Sequence, residues 1–333
     1  YQKFDMHTFY NYRQNVDVNI KGWKDVIKHT INWKFDEYGL VETPKVENIN
    51  NLKEKKVVVF GGSTVFGVGS SSLSSTIPSF LQDKLNQDSN DFFYRVYNAG
   101  VRGGFSYLEM IRYLNDIRSQ INPDIIIVLN GNNDVFLATK GFLQNNFDTE
   151  YSKKLEKDIQ ENLIKIQDKI FIRSIIFSTN TGLVLYRALK KLNLLASKTE
   201  ENDNHKIIDI KTEGLKKSLN NYFFIMETFR FLVQKEGRSF YWFLQPVALY
   251  KKNLTDKEVD GIKRISCYHG LIKDISKKLI FSYEYILENN KNVTDLTDIF
   301  ENSSETLYID DCHYNDDGND IIATNIANIV LNN

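Results

Sequence analysis

The chain has 333 residues, of which 42% are hydrophobic and 26% charged. This composition is typical of globular proteins and lies far from that of disordered chains. Its 42 basic and 43 acidic side chains leave a formal net charge of −1, so no strong field can hold a polyanion and we expect no nucleic-acid partner. The longest clean apolar run, 125–129, is far shorter than the roughly 18 residues of a membrane-spanning helix.

The cysteines and the first residue leave the cellular compartment open. Cys267 and Cys312 can form at most one disulfide, and they lack the C-x-x-C spacing of zinc or thiol-redox sites. The sequence starts at Tyr1 rather than Met, so a signal or membrane tether upstream of it can have been removed. The oligomeric state is not readable from any residue pattern.

Strands and helices alternate in the first half of the chain. Three buried, mostly β-branched runs each end in a turn or loop, and amphipathic helices follow the first two. Such an alternation indicates a parallel sheet covered by helices on both faces. The strands are predicted at 56–60, 95–98 and 124–129, and the helices at about 76–85 and 107–121.

The second half continues this pattern after an insertion. A fourth strand is predicted at 239–244, after a helix at about 215–235, and a last amphipathic helix at 318–331. The insertion, at about 136–211, begins with apolar residues at helical spacing and is predicted to be helical. Residues 1–55 form a polar and aromatic N-terminal extension that we expect to pack on the core, and 56–333 form the main α/β domain.

Chemically informative side chains follow the strand ends, where open parallel sheets bind their ligands. A serine, a glycine and an asparagine follow the first, second and third strands, and an aspartate and a histidine precede the last helix. We expect these residues to meet in one site. They are Ser63, Gly103, Asn133, Asp310 and His313.

These residue types make a coherent set for acyl transfer. Ser63 is the candidate nucleophile, His313 the general base, and Asp310 the group that orients the imidazole. The backbone N–H groups of Ser63 and Gly103 and the side-chain amide of Asn133 are candidate donors to an oxyanion. We predict no metal and no cofactor, because the acidic residues near His313 lack a calcium-loop spacing and the glycines near Ser63 match no phosphate-binding motif.

Four short segments together resemble the SGNH (GDSL-like) hydrolase superfamily, in the same order as its four sequence blocks, between Val57 and Leu331. The segments are Gly-Gly-Ser63-Thr, Asn98-Ala-Gly-Val-Arg-Gly103, Gly131-Asn-Asn133-Asp134 and Asp310-Asp-Cys-His313.

The resemblance implies a flavodoxin-like three-layer α/β/α fold with a central, mostly parallel sheet, and activity on esters of sugars, lipids or thiols. It assigns Ser63 as nucleophile, Gly103 and Asn133 as oxyanion donors, and Asp310 with His313 as the rest of a triad. The chain departs from the family pattern at Gly62, where the usual residue is Asp.

The N-terminal extension and the insertion lie outside the ordinary family core. This combination resembles SGNH proteins associated with bacterial surface glycans, which often carry a membrane tether before the catalytic domain. The resemblance implies an acylated carbohydrate or another small ester as substrate, and it favours an extracytoplasmic location.

Three functions remain open from the sequence. The first is a serine esterase that removes an O-acetyl group from a carbohydrate through an acyl-enzyme. The second is an O-acyltransferase that uses the same site to modify a surface glycan, since the two reactions share every step before deacylation. The third is a non-catalytic glycan-binding or assembly protein, a reading to which the missing carboxylate at Gly62 lends weight.

Overall fold

A computed structural model describes residues 33–48, 51–88, 91–139, 212–265 and 272–332. It also describes the backbone of two antiparallel strand pairs nearer the N-terminus: β1 (Gln2–Lys3) with β2 (Asn11–Tyr12), and β3 (Asp17–Ile20) with β4 (Ile31–Lys34). Within these residues no helix combines the length and the apolar character that a membrane span requires.

The core of the fold is a five-stranded parallel sheet with the order β6-β5-β7-β8-β9. Its central strands are runs of valine and isoleucine that are buried on both faces, as expected for a parallel sheet covered by helices. The strands are β5 (Lys53–Gly61), β6 (Phe92–Asn98), β7 (Ile125–Asn130), β8 (Ser239–Leu244) and β9 (Val293–Asp295).

Helices cover both faces of this sheet. On one face, α2 (Ile77–Asp88) and α9 (Asp316–Leu331) pack against the side chains of Val57, Val59 and Ile127. The other face holds Val58, Phe60 and Val128 against three further helices. These are α3 (Ser106–Arg112), α6 (Thr212–Lys235) and α8 (Ile272–Asn289). The predicted three-layer α/β/α class is therefore confirmed.

The strand order positions the site. The chain leaves β5 toward β6 on one side and returns to β7 on the other, so a crevice opens at the carboxyl ends of β5 and β7. Two short helices begin at this edge: α1 (Ser63–Phe66), directly after β5, and α5 (Asn132–Thr139), directly after β7. Ser63 and Asn133 therefore lie at the beginnings of neighbouring helices.

The structure differs from the sequence-based expectation in a few elements. The helix predicted at 107–121 consists of α3, a π-helical turn (Tyr113–Ile117) and α4 (Arg118–Gln120). Strand β9 and the helices α7 (Asp256–Ile265) and α8 were not predicted. Apart from residues 136–139, which complete α5, the insertion predicted at about 136–211 lies outside the described residues.

The described part of the N-terminal extension lies against the edge of the sheet and the turn after Ser63. The rings of Trp33 and Phe66 are 4.5 Å apart, and Phe35 and Val41 belong to the same buried cluster. The Val41 backbone N–H donates to the Asn98 carbonyl at the end of β6. All of these contacts come from residues 33–41, which precede the first residue of strand β5, Lys53.

Candidate active site

A serine, a histidine and an aspartate from distant parts of the chain form a continuous hydrogen-bonded relay. The Ser63 Oγ lies 2.7 Å from His313 Nε2, although the two residues are 250 positions apart in sequence. The other ring nitrogen, Nδ1, lies 2.7 Å from Asp310 Oδ2. His313 and Asp310 are almost fully buried, whereas Ser63 is partly exposed, so only the hydroxyl end of the relay faces incoming molecules.

Backbone hydrogen bonds fix the Asp310 carboxylate. Its Oδ1 accepts from the backbone N–H groups of Cys312 and His313, at 2.9 and 2.7 Å, which leaves Oδ2 for the ring. Burial by itself disfavours the charged carboxylate, but the neighbouring His313 ring and these hydrogen bonds outweigh it, so the pKa of Asp310 is lowered. The carboxylate therefore stays ionised and holds a proton on Nδ1, which leaves Nε2 as an acceptor toward Ser63.

Gln245, which follows β8, connects the serine turn to the histidine loop. Its Nε2 donates to the Cys312 carbonyl at 3.2 Å, and its Oε1 accepts from Thr64 Oγ1 at 3.5 Å. Gln245 is buried. It thus bonds to the residue after Ser63 and to the residue before His313, and it holds the two halves of the relay together.

A buried ion pair holds the segment that leads into Asp310. Lys251 Nζ lies 2.7 Å from Glu258 Oε1, and both side chains are fully buried. Glu258 Oε1 also accepts from the backbone N–H groups of Leu307 and Tyr308, at 2.9 and 3.0 Å. Burial disfavours the Glu258 carboxylate, but the Lys251 and backbone hydrogen bonds prevail and lower its pKa.

Replacing Glu258 by glutamine is expected to destabilise the protein by about 3 kcal/mol near neutral pH, because the buried Lys251 charge loses its counter-charge. The pKa of Glu258 is lower in the folded protein than in the unfolded chain. The carboxylate therefore stabilises the fold fully when the pH is above the ordinary pKa of glutamate, and this stabilisation is lost as the pH falls through the lowered pKa. Chemical denaturation at neutral and acidic pH should therefore show the difference from wild type shrinking in acid.

The control is Glu301→Gln in the neighbouring pair Lys252–Glu301, whose side chains are 63% and 36% exposed. An exposed pair of this kind contributes at most about 1 kcal/mol. Equal effects of the two substitutions, or a Glu258→Gln effect that does not vary with pH, would contradict this assignment.

Asn133, near the beginning of α5, bonds to the loop that precedes α3. Its Nδ2 donates to the Gly104 carbonyl at 2.6 Å, and it lies so close to Gly62 that a Cβ placed there would be 2.4 Å away. One N–H of the amide is used by Gly104, so the second is available to a ligand. The amide is thus held beside the backbone of the residue that precedes Ser63.

Gly103 occupies the same loop, one residue before Gly104. It is exposed and has φ +72°, a left-handed conformation that glycine adopts without strain. Among the described residues, no group accepts a hydrogen bond from the backbone N–H of Gly103 or of Ser63. Of the five predicted site residues, the structure joins Ser63, His313 and Asp310 by direct hydrogen bonds. It places Asn133 and the Gly103 loop at the neighbouring strand ends.

Asp310, Cys312 and His313 also bring three metal-ligand types together. One ligand atom from each residue lies within 4.8 Å of the others. However, His313 Nδ1 and Asp310 Oδ2 are already hydrogen-bonded to one another, and a metal ion would have to displace that bond. The arrangement therefore suits proton transfer better than metal coordination.

Comparison with known proteins agrees with this geometry. The model of the GDSL-like lipase/acylhydrolase family matches residues 57–326, which is most of the chain and contains the whole relay. This chain belongs to the GDSL-like lipase/acylhydrolase family. It is therefore an SGNH-type serine hydrolase with esterase activity.

Solved structures of several esterases are similar to this GDSL-like hydrolase. An acetyl xylan esterase is 16% identical with a TM-score of 0.41, and the match covers 83% of this chain and 99% of that one. An acetylxylan esterase from Geobacillus stearothermophilus is 13% identical with a TM-score of 0.40, over 84% and 94% of the two chains. A carbohydrate acetylesterase family member from Sinorhizobium meliloti is 12% identical with a TM-score of 0.38, over 83% and 97%. No curated protein matches the sequence.

The glycine that replaces the usual Asp of the GDSL-like family has a steric reason in this hydrolase. Asn133 Nδ2 occupies the space that a side chain at position 62 would need. Gly62→Ala is therefore expected to push the amide aside and lower kcat by about 100-fold, the effect of losing one oxyanion donor. Because the amide ends a movable side chain, the melting temperature should change little.

Steady-state kinetics on an acetyl ester and a thermal melt of Gly62→Ala test this prediction. The same substitution in an Asn133→Ala background should cost almost nothing further. A Gly62→Ala variant with wild-type kcat would show that the amide does not need its present position.

Several residues that shape this site carry no signal in the sequence. Ser106, Gln245 and Glu258 each stand alone in amphipathic or loop sequence, where nothing distinguishes them from solvated polar residues. Asp134 looks in the sequence like a cap of its own helix. Its carboxylate also accepts the backbone N–H of Ser106, the first residue of α3, which the sequence does not show. Only the tertiary fold brings these side chains to the site.

Proposed function

We propose that this GDSL-like hydrolase removes O-acetyl groups from a carbohydrate through a Ser63–His313–Asp310 triad and an acyl-enzyme intermediate. The observation that carries the proposal is the relay itself, in which Ser63 Oγ and Asp310 Oδ2 each lie 2.7 Å from a different nitrogen of one imidazole. Membership of a family of acylhydrolases favours an enzyme over a non-catalytic glycan-binding protein.

In the acylation step, Ser63 Oγ attacks the ester carbonyl carbon while His313 Nε2 takes the hydroxyl proton. Asp310 stabilises the resulting imidazolium through Nδ1. The tetrahedral intermediate collapses as the C–O bond to the sugar breaks, and Nε2 gives its proton to the leaving sugar oxygen. In deacylation, a water molecule loses a proton to Nε2 and attacks the acyl carbon. The bond from that carbon to Ser63 Oγ then breaks as Nε2 returns its proton to Oγ, and the acetic acid formed leaves as acetate after losing its proton to solvent.

The developing oxyanion is stabilised by hydrogen-bond donors next to Ser63. We assign this role to the backbone N–H groups of Ser63 and Gly103 and to the Asn133 amide. Two observations support the assignment: the Asn133 amide is oriented by its bond to Gly104, and neither backbone N–H has an acceptor among the described residues.

The acetylated carbohydrate is proposed from the N-terminal extension and the insertion, which resemble those of SGNH proteins associated with bacterial surface glycans. An extracytoplasmic location belongs to the same proposal. Because an acyltransferase would use the same first half-reaction, the nature of the acceptor separates the two activities.

The proposal is tested with a chromogenic acetyl ester and with acetylated xylan or another acetylated glycan. We expect acetate release from both, and an acetyl group on the peptide that contains Ser63 after rapid acid quenching and mass spectrometry. Transfer of acetyl to an added glycan, in place of release as acetate, would identify an acyltransferase. Failure of any activated ester to acylate Ser63 would overturn the catalytic proposal.

A further inference from the structure

Two consecutive residues of α5 hold the loop that precedes α3. Asn133 bonds to the carbonyl of Gly104, and the next residue, Asp134, bonds to Ser106 at the beginning of α3. Asp134 Oδ1 lies 2.5 Å from Ser106 Oγ and 3.1 Å from the Ser106 backbone nitrogen. The loop that carries Gly103 is therefore attached at two points to the helix that carries Asn133.

The attachment at Ser106 is shielded from water. Ser106 and Asp134 are both completely buried, so no solvent competes for the carboxylate oxygens. Hydrogen bonds to a carboxylate are among the stronger ones in proteins, and removing one partner from a buried pair is costly. The link is therefore rigid compared with the bond between Asn133 and Gly104, which is partly exposed.

Further buried hydrogen bonds surround the link between Ser106 and Asp134. Glu109, one turn along α3, accepts from Asn130 Nδ2 at 2.7 Å through its Oε2. Asn130 Oδ1 accepts from the Tyr222 hydroxyl at 2.7 Å and from the Trp242 indole at 3.1 Å. Burial and the neighbouring Asp134 carboxylate raise the pKa of Glu109 well above its ordinary value. Glu109 and Asp134 therefore do not both carry a negative charge in the protein interior.

We propose that Ser106 and Asp134 are positioning residues that hold the Gly104 carbonyl, and through it the Asn133 amide, in place, so that Ser106 acts on the reaction through Asn133. The inference rests on the proposed function, because it assigns a purpose to the oxyanion donors. Ser106 touches neither the substrate nor the reacting atoms. Its effect is the placement of donors that must lie about 3 Å from the oxyanion.

The expected size of the effect follows from the sensitivity of catalysis to geometry. Ser106→Ala removes the hydroxyl bond but leaves the backbone N–H bond to Asp134, so the Gly104 carbonyl that orients the Asn133 amide is held less firmly without being released. A misplacement of about 1 Å costs up to about 100-fold in rate, so we expect kcat to fall about 10-fold to 100-fold with KM nearly unchanged. Asn133→Ala should cost about 100-fold to 1,000-fold.

The test is a double-mutant cycle on an acetyl ester with wild type, Ser106→Ala, Asn133→Ala and the double variant. If Ser106 acts through Asn133, the double variant should match Asn133→Ala within about threefold, since coupled residues show non-additive effects. The matched control is Ser282→Ala, a buried serine in α8 whose hydroxyl bonds to the Lys278 carbonyl of its own helix. Its kcat should stay at the wild-type value.

The outcomes separate the two proposals. Losses that multiply in the double variant, or a Ser106→Ala variant that matches Ser282→Ala, overturn the positioning role and leave the proposed function standing. A wild type that turns over no ester overturns the proposed function and this inference with it. Should Ser106→Ala fail to fold, Asp134→Asn, which keeps the side-chain volume, takes its place in the cycle with the same expected result.

Discussion

Replacing Ser63 or His313 by alanine is expected to lower kcat by about 10,000-fold or more. The two side chains share one proton across a 2.7 Å contact, so each is useless to the reaction without the other. The double variant should therefore be no worse than either single variant, because residues that act as a unit show strongly non-additive losses.

The measurement is kcat on a chromogenic acetyl ester for the three variants. Ser282→Ala is again a suitable control, since it removes a buried serine hydroxyl that bonds to a carbonyl of its own helix, α8. Circular dichroism should show all of them folded. A Ser63→Ala variant that retains more than about a hundredth of wild-type kcat would mean that another nucleophile performs the reaction.

Asp310→Asn is expected to lower kcat by about 10,000-fold, even though the side chain hardly changes in shape. The two backbone N–H groups that bond to Oδ1 will keep an acceptor oxygen at that position. The amide nitrogen then takes the place of Oδ2 and donates to His313 Nδ1. The proton moves to Nε2, so the imidazole no longer accepts from Ser63.

The assay should show a loss of kcat with KM nearly unchanged, because the substrate does not touch Asp310. The lowered pKa of Asp310 adds a second expectation for the wild type. The carboxylate stays ionised as the pH falls through the ordinary range of aspartate, so protonation of Asp310 should cause no loss of kcat in that range. An Asp310→Asn variant with wild-type kcat would show that the ring does not depend on this carboxylate.

Much of the fold is predictable from sequence because buried parallel strands carry a strong local signal. The runs at β5, β7 and β8 are apolar and stop at glycine, asparagine or proline, and the structure places those strands within a few residues of the prediction. Strand β9 is only three residues long, too short to show a period. In α7, Gly261 and a high charge obscure the helical pattern.

Helix α8 could have been found from the sequence. Leu279, Tyr283 and Ile286 are buried at helical spacing, a pattern that marks one face of a helix. The polar residues that support the site, in contrast, could not have been found in this way. Gln245 and Ser106 are defined only by partners far away in sequence, and no local pattern marks them.

In the candidate site, too, some residues have a local sequence signal and others are defined only by distant contacts. Ser63, Asn133 and His313 lie next to strand ends or a helix start within short motifs, so their meeting is predictable from the rules of open parallel sheets. The reason for Gly62 is not, because it depends on the position of one amide from another helix. The sequence therefore indicates which groups are candidates for the reaction, and the structure shows what holds them in place.

The relay joins the first strand of the sheet to the segment just before the last helix, and this has a consequence for biosynthesis. A ribosome-bound chain already displays the nucleophilic hydroxyl after the early strands have paired, but it lacks a base until the segment around His313 has emerged and α9 has docked beside α2. If the relay is the catalytic centre, we expect the nascent polypeptide to be inert toward esters until His313 has left the ribosome. A premature stop anywhere upstream of that histidine should then yield no catalyst, whatever part of the sheet the shortened chain still forms.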